Sequence, residues 1–481
     1  MNWYLILKVI YYLFLIGFAI KILYETQSSA KAAAYILMIT LFPVVGIIIY
    51  LSFGLNYRKR GIYSKKLEMN EEQAQHVENL ISNYISDHKA SFKSDFGDFL
   101  GLNTMLYKDT ESFATVNNKV KLLVNGEKKF PELIDAMRNA KHHIHLEYYI
   151  YENDKIGNEI ADILIEKARD GVEVRFIYDD FGSRSIRKNL VPKLRENGVE
   201  AHAFYKIIFI YLANRLNYRN HRKIAIIDGE KAFIGGINVS DKYINKEENE
   251  VFWRDTHVMI EGEAVWHLQK IFFGDWNFCT KQKLALSSDY FRNQPELDDG
   301  KWVQVVASGP DSKIPSILYS YLQAVAMSKR EICITTPYLI PSQEFLSALY
   351  MAVLRGVKVK ILIPEKSDSV FVNLVCGSYF EDLLENGVEI YLYQKGFIHA
   401  KTMVCDEELA VVGTANLDHR SFDLNFEVNA IMYDHEIASQ VKSVYDEDLK
   451  YARKLDLEEW KNRGKEVKLL ENSLRILAPL L

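Results

Sequence analysis

No two cysteines in this chain are spaced as a metal-binding pair. Cys279, Cys333, Cys376 and Cys405 show neither a CxxC spacing nor His partners at zinc distances, which excludes a zinc ribbon or finger. They read as reduced thiols in a cytoplasmic compartment. Proline is scarce as well, ten in 481 residues, and with 48% hydrophobic and 26% charged residues the composition is not that of a disordered chain. Positive charge is not in excess either. A formal net charge of -5 argues against the general nucleic-acid affinity that clustered Lys and Arg provide, so no nucleic-acid partner is expected. The length, by contrast, is ample for two or three domains.

Long apolar runs are present only at the N-terminus. Residues 3–24 are apolar except for Lys8 and Lys21, both near the ends where they can snorkel. At about 1.5 Å per residue this run crosses a bilayer core. Residues 32–54 carry no charge at all, and Pro43 and Gly46 are tolerable in a membrane helix packed on a neighbour. The two runs predict a transmembrane helical hairpin over residues 1–54. Its first run is too long for a cleaved signal peptide. Arg58, Lys59, Arg60, Lys65 and Lys66 follow directly, whereas the loop between the runs carries only Glu25 and Lys31 as charges. The positive-inside rule therefore places the rest of the chain in the cytoplasm, with the basic cluster near anionic lipid. Residues 55–115 are polar and predict a helical linker.

The remainder is an internal repeat. HRKIAIID starts at His221 and HAKTMVCD at His399, so both satisfy HxKxxxxD. Asn238 lies 17 residues after His221, and Asn416 lies 17 after His399. The pair Gly235 and Gly236 matches Gly413 and Thr414, and Asp255 in WRDTHVMI corresponds to Glu427 in NFEVNAIM. ENGVE occurs at Glu196 and Glu385, 189 residues apart, whereas the two motifs are 178 apart. Eleven extra residues thus lie between Ala201 and His221, within the aromatic and apolar stretch YKIIFIYLANRLNYRN, whose composition suits a membrane interface or a plain core helix. Short β-branched runs (VEVRFIYD, KIAIID, KAFIGG; EICITT, VKVKILI, AVVGT) alternate with amphipathic stretches such as IGNEIADILIEKARDG, the pattern of an α/β fold.

On a strand, side chains two apart share a face, so His221 and Lys223 project together, as do His399 and Lys401, about 6.6 Å apart along each strand. Displacement at phosphorus needs one group to attack and another, opposite it, to protonate the leaving oxygen. One motif supplies one His, so the two must converge. Lys223, Lys401, Asn238 and Asn416 then surround the nonbridging oxygens and stabilise charge without a metal. Asp228 and Asp406 complete the motifs as catalytic candidates, although at strand ends they serve equally well to orient backbone or Lys.

Two such motifs resemble those of the phospholipase D superfamily. The resemblance implies two similar phospholipase D-like lobes, each a mixed sheet flanked by helices, with the active site between them; the expected bounds are residues 116–300 and 301–481. It implies that one His becomes a phosphohistidine and the other acts as acid and then base. His221, in the N-terminal copy, is the expected nucleophile and His399 the acid. The acid downstream of each motif is expected to hold its own His, Asp255 for His221 and Glu427 for His399. Within the superfamily the chain is similar to bacterial cardiolipin synthases, through YDDFGS at Tyr178, NYRNHRKIAIIDG, IGGINVSDKY, FWRDTHV, PYLIP at Pro337 and GTANLDHRSFDLNFEVN. That likeness implies a plasma-membrane, multi-pass enzyme joining two phosphatidylglycerol molecules, with no cofactor. The residues alone admit both transfer to an alcohol and transfer to water, because the acceptor site has no motif.

The extra stretch yields a first test. In a protein lacking residues 1–54, the double replacement Ile208→Asp and Phe209→Asp should reduce flotation with anionic liposomes. Unchanged flotation would make the stretch ordinary core or loop.

Overall fold

The computed structural model describes residues 3–26, 29–50, 96–204, 218–247, 250–280, 282, 284, 287–291, 297–476 and 478. The extra stretch in the first half, bar Tyr218 to Asn220, lies outside the described residues.

The first apolar run forms α1 (Trp3–Glu25), whose 23 residues are long and apolar enough to cross a bilayer. The second run departs from the expected straight span. It forms two shorter helices, α2 (Ser29–Leu41) and α3 (Pro43–Ile49), broken at Phe42, where φ is -133° and ψ 73°. Pro43 causes the break, since its ring pushes the preceding residue out of the helical region and it has no N–H to donate. After the break α3 folds back on α2: a Cβ at Gly46 would lie 2.6 Å from the Ile39 nitrogen, so only glycine permits the approach. Tyr50 ends beside α1 and donates its hydroxyl to Glu25 at 2.7 Å. At about 1.5 Å per residue, neither α2 nor α3 reaches the ~30 Å of a hydrocarbon core.

The first lobe contains β1 (Asn118–Val124), β2 (His143–Tyr148), β3 (Glu173–Tyr178), β4 (Glu200–Ala203), β5 (Lys223–Ile227), β6 (Lys231–Gly235), β7 (Phe252–Arg254) and β8 (Thr256–Gly262). The second contains β9 (Val303–Ser308), β10 (Glu331–Thr335), β11 (Lys358–Pro364), β12 (Glu389–Tyr393), β13 (Gly396–Ile398), β14 (Thr402–Cys405), β15 (Leu409–Gly413), β16 (Glu427–Met432) and β17 (Ala452–Lys454). The sheets run β1-β8-β6-β5-β2-β3-β4 and, in the same sense, β9-β16-β15-β14-β10-β11-β12-β17. Apart from the added β17 the two orders correspond strand for strand. Each is mixed: β2, β3 and β4 are parallel, as are β10, β11 and β12, and the rest pair antiparallel. The fold is therefore the expected α/β pair of similar lobes, each built on a mixed sheet.

The central strands are buried on both faces, which is why they read as near-continuous apolar runs. Along β5, Ala225 and Ile227 enter the outer core under the helices, while Ile224 and Ile226 enter the layer between the lobes. That middle layer also takes Val258 and Ile260 of β8, Val412 of β15, and Val428 and Ala430 of β16. At about 1.5–3 kcal/mol for each large aliphatic side chain, this shared layer docks the lobes firmly. The polar segment before the lobes is in part a core element. Phe96, Phe99, Leu102 and Leu106 pack with Trp302, Ile317 and Tyr321 of the second lobe, so the expected linker ends well before residue 115.

Asp228 and Asp406 sit in the turns after β5 and β14. Asp228 and Gly229, and likewise Asp406 and Glu407, all have positive φ, the pairing of a tight hairpin turn that matches sheet twist. The Asp228 carboxylate accepts the N–H groups of Lys141, His142 and His143 at 2.8, 2.7 and 2.9 Å. Asp406 accepts those of Lys329, Arg330 and Glu331 at 2.6, 2.7 and 2.8 Å. This corrects their assignment as catalytic. Seven residues of extended chain, roughly 23 Å, separate each from its His, so they cannot meet the reacting atoms. They fasten the start of β2 and β10 to the hairpin. Asp406→Ala should accordingly lower the thermal midpoint of the purified enzyme, by the equivalent of about 2–4 kcal/mol, while kcat per folded molecule stays nearly constant.

Candidate active site

The segment leading into β5 is locked to the second lobe by backbone. Phe426 donates its N–H to the Arg219 carbonyl at 2.9 Å, and His221 donates its own to the Phe426 carbonyl at 3.0 Å. The segment leading into β14 is locked to the first lobe in the same way: β13 pairs in parallel with β7, and His399 donates its N–H to the Arg254 carbonyl at 2.7 Å. Each His thus emerges beside the opposite lobe, next to the residue that follows its backbone partner. Those residues are Glu427 and Asp255.

The side chains complete the exchange. His221 Nδ1 lies 2.9 Å from the Glu427 carboxylate, and His399 Nδ1 lies 2.7 Å from Asp255 Oδ2. The expected pairing of each His with its own half's acid is therefore corrected: the acids are exchanged between lobes. Every member is buried, with His221 and His399 each 8% exposed and both carboxylates fully covered. An Nδ1–H held by a carboxylate leaves Nε2 as the free ring nitrogen.

The two pairs differ in how the acid is supported. Thr414 donates its hydroxyl to Glu427 at 2.5 Å, and Asn425 adds a second bond at 3.2 Å. In the first lobe Gly236 occupies the matching place, where a Cβ would lie 2.1 Å from Asp255 Oδ1. The shorter acid thus goes with glycine in one half and the longer, hydroxyl-supported acid goes with threonine in the other. Burial tends to raise the Glu427 carboxyl, but His221, Lys223 and Thr414 outweigh it and hold it below its usual value. Burial dominates at Asp255 and pushes it up to about 6.

Lys223 and Lys401 each donate to the backbone carbonyl of their own motif His, both at 2.6 Å. Burial and mutual repulsion bring Lys223 down to about 7; burial brings Lys401 down to about 8. Burial likewise takes His221 down to about 4, and His399 lies well below its ordinary value through burial and the two lysines. Four basic groups within electrostatic reach of one another, all discouraged from carrying charge, make a site that gains strongly from an arriving anion. A phosphodiester is such an anion.

The asparagines sit one step back. Asn238 accepts the Ile150 N–H at 3.1 Å and donates to the Tyr243 hydroxyl at 2.8 Å. Asn416 donates to Asp418 at 3.1 Å, and its own carbonyl oxygen is buried without a hydrogen-bond partner. Residues that the motif reading missed line the rest. The Tyr149 ring centroid is 4.9 Å from that of His221. Around His399 stand Trp253 at 5.8 Å, Phe397 at 5.7 Å and Tyr243 at 6.3 Å. Arg222, salt-bridged to Asp275, steadies the Glu427 backbone by donating to its carbonyl at 3.3 Å. The repeat carried one usable signal, because Arg222 and Ala400 occupy the same motif position.

A family model described as cardiolipin synthase, PLD-like domain, matches residues 133–276 and 321–449, one segment in each lobe. The chain belongs to the cardiolipin synthase family. It is 39% identical over 475 residues to cardiolipin synthase 2 of Bacillus anthracis, covering 97% of this chain and 90% of that one. It is 40% identical over 474 residues to the cardiolipin synthase of Geobacillus sp. strain WCH70, covering 97% and 91%. With the major cardiolipin synthase ClsA of Bacillus subtilis strain 168 the identity is 39% over 484 residues, 99% of each chain. Among solved structures, the phosphatidylserine synthase of Haemophilus influenzae Rd KW20 superposes with a TM-score of 0.60 at 14% identity, covering 79% of this chain and 99% of that one, a likeness of fold. As a member of this family the protein is a phosphatidyltransferase of the phospholipase D superfamily.

The exchanged pairing has a direct spectroscopic signature. Glu427→Gln should remove the downfield Nδ1–H resonance of His221 and leave that of His399, and Asp255→Asn should do the reverse. Both should cut kcat by about 10²- to 10⁴-fold, the scale seen when a buried His loses its orienting carboxylate. Own-lobe pairing would interchange the two spectra.

Proposed function

We propose that this enzyme joins two phosphatidylglycerol molecules into cardiolipin and releases glycerol through a phosphohistidine at His221. The observation that carries the mechanism is the pair of buried His–carboxylate contacts exchanged between the lobes, with Lys223 and Lys401 beside them. The substrate reading rests on the similarity to cardiolipin synthases over almost the whole chain.

In the first step Nε2 of His221 attacks phosphorus while its Nδ1–H stays on Glu427. The bond from phosphorus to the headgroup glycerol oxygen breaks, and that oxygen takes a proton from His399. The anionic phosphodiester, met by Lys223 and Lys401, makes the protonated form of His399 accessible despite its burial. In the second step neutral His399 takes the proton of a second phosphatidylglycerol hydroxyl, whose oxygen attacks phosphorus as the P–N bond breaks. The bonds exchanged are alike, so exclusion of water decides that the product is cardiolipin and not phosphatidic acid. Choosing His221 as nucleophile agrees with the superfamily pattern and with the acid held ionised, Glu427, lying behind it. No step calls for a metal.

The same reading puts the enzyme in the plasma membrane, held through residues 1–54, with both lobes on the cytoplasmic side next to the basic cluster at Arg58 to Lys66. A second crossing, by residues 32–54, would require α2 and α3 to straighten at Phe42.

Purified protein given phosphatidylglycerol alone should form cardiolipin and glycerol in equal amounts; phosphatidic acid as the sole lipid product would make it a hydrolase. A donor with a good leaving group, labelled in its phosphatidyl part, separates the histidines because it bypasses the acid. With it, His399→Ala should retain acid-labile label and His221→Ala none. The opposite pattern would exchange the roles, and label on neither would refute covalent catalysis.

A further inference from the structure

The two halves also differ two residues before each His. Arg219 stands there in the first half and Phe397 in the second. Arg219 and His221 flank Asn220, which bridges in extended form to Phe426, so Arg219, His221 and Lys223 form one row about 6.6 Å per step. The row leads from fully buried Lys223 past His221 to Phe181, which is 40% exposed and packs against Arg219. The rim at that end is cationic. The guanidiniums of Arg184 and Arg219 lie 4.2 and 4.5 Å from the Phe181 ring, and Arg420 acts electrostatically on Arg219 as a further like charge. At the other end Phe397 takes the place of Arg219 and packs on Trp253 at 4.8 Å, and the cation there, Lys242, lies 4.2 Å from the Trp253 ring with Asp368 acting on it as a counter-charge.

Arg219 is poorly satisfied where it stands. It is 4% exposed, and its buried Nη1 has no hydrogen-bond partner. Asp179 is the carboxylate acting on it, but that group already accepts the N–H groups of Phe181, Gly182 and Asn220 at 2.9, 2.9 and 3.3 Å. Buried guanidinium N–H groups without partners are rare, and two neighbouring cations make the position worse unless an anion shares it. A guanidinium matches a phosphodiester with its fork of donors.

We propose that Arg219, with Arg184 and Arg420 around it, binds the phosphodiester of the acceptor lipid, the one that is not transferred. This rests on the transferase reading above. The two phosphorus atoms of cardiolipin are joined through one glycerol, so the acceptor phosphodiester must sit one glycerol away from the phosphorus held between the histidines. One step along the row toward the rim is a comparable reach. The site then holds one lipid by its reacting phosphate among the lysines and the other by its intact phosphate at the arginine rim. Water and free glycerol carry no such anion and gain nothing from it, which favours a lipid acceptor.

The test uses soluble acceptors with the full-length enzyme, so that membrane charge plays no part. With labelled phosphatidylglycerol as donor, the wild type should show a lower KM for glycerophosphoglycerol, which carries the phosphodiester, than for glycerol. Arg219→Met should raise the KM for glycerophosphoglycerol by about 10- to 100-fold and that for glycerol far less. Arg219→Lys should recover part of the difference. Arg184→Ala, a change at an exposed side chain, should raise the glycerophosphoglycerol KM severalfold even if the Arg219 variants fold poorly. Equal loss with both acceptors would make Arg219 only a support for His221 and overturn the proposal, as would a defect confined to lipid acceptors in bilayers. A wild type that makes neither cardiolipin nor exchanged glycerol would refute the transferase reading instead.

Discussion

The exchange of acids between the lobes is the contact on which this active site depends. Neither lobe contains a supported histidine by itself: His221 takes its carboxylate from Glu427, and His399 takes its own from Asp255. Backbone bonds enforce the exchange before any side chain is considered, because the strand preceding each His is stitched to the residue preceding the opposite acid. Separation of the lobes would strand two carboxylates and two lysines that are all buried. The apolar layer between the sheets therefore contributes to catalysis as well as to stability, by holding a polar cluster that is satisfied only when closed.

Burial gives the site its electrostatic character. In water Lys223 and Lys401 would be fully protonated and indifferent to their surroundings. Out of water, and close to one another, they hold their protons weakly, with values near 7 and 8. A phosphodiester between them restores what burial removed, so substrate binding and protonation are coupled. Binding energy is in this way directed to the state in which charge moves from phosphate to leaving oxygen.

A pseudo-symmetric frame carries an asymmetric reaction. Thr414 against Gly236, Glu427 against Asp255, Arg222 against Ala400 and Arg219 against Phe397 are the places where two copies of one unit have diverged around the same phosphorus site. Each difference is local, while the strand order of the two sheets stays the same.

The repeat, the α/β class and the His and Lys of each motif were legible in the residues alone, because strand periodicity and motif spacing are local properties that survive in a linear text. The HxK spacing puts two side chains on one side of an extended chain, although His221 lies two residues before β5, and His399 and Lys401 both lie before β14. The tertiary structure alone decided which acid serves which histidine, since lobes that swap backbone at their edge leave no trace in spacing. It also removed Asp228 and Asp406 from the chemistry, because a motif records distance along the strand and not the far end at which its last residue lies. The break at Phe42 was foreshadowed by Pro43, yet composition averages over a run, and only the close approach of Gly46 to Ile39 reveals that the second apolar stretch turns back on itself.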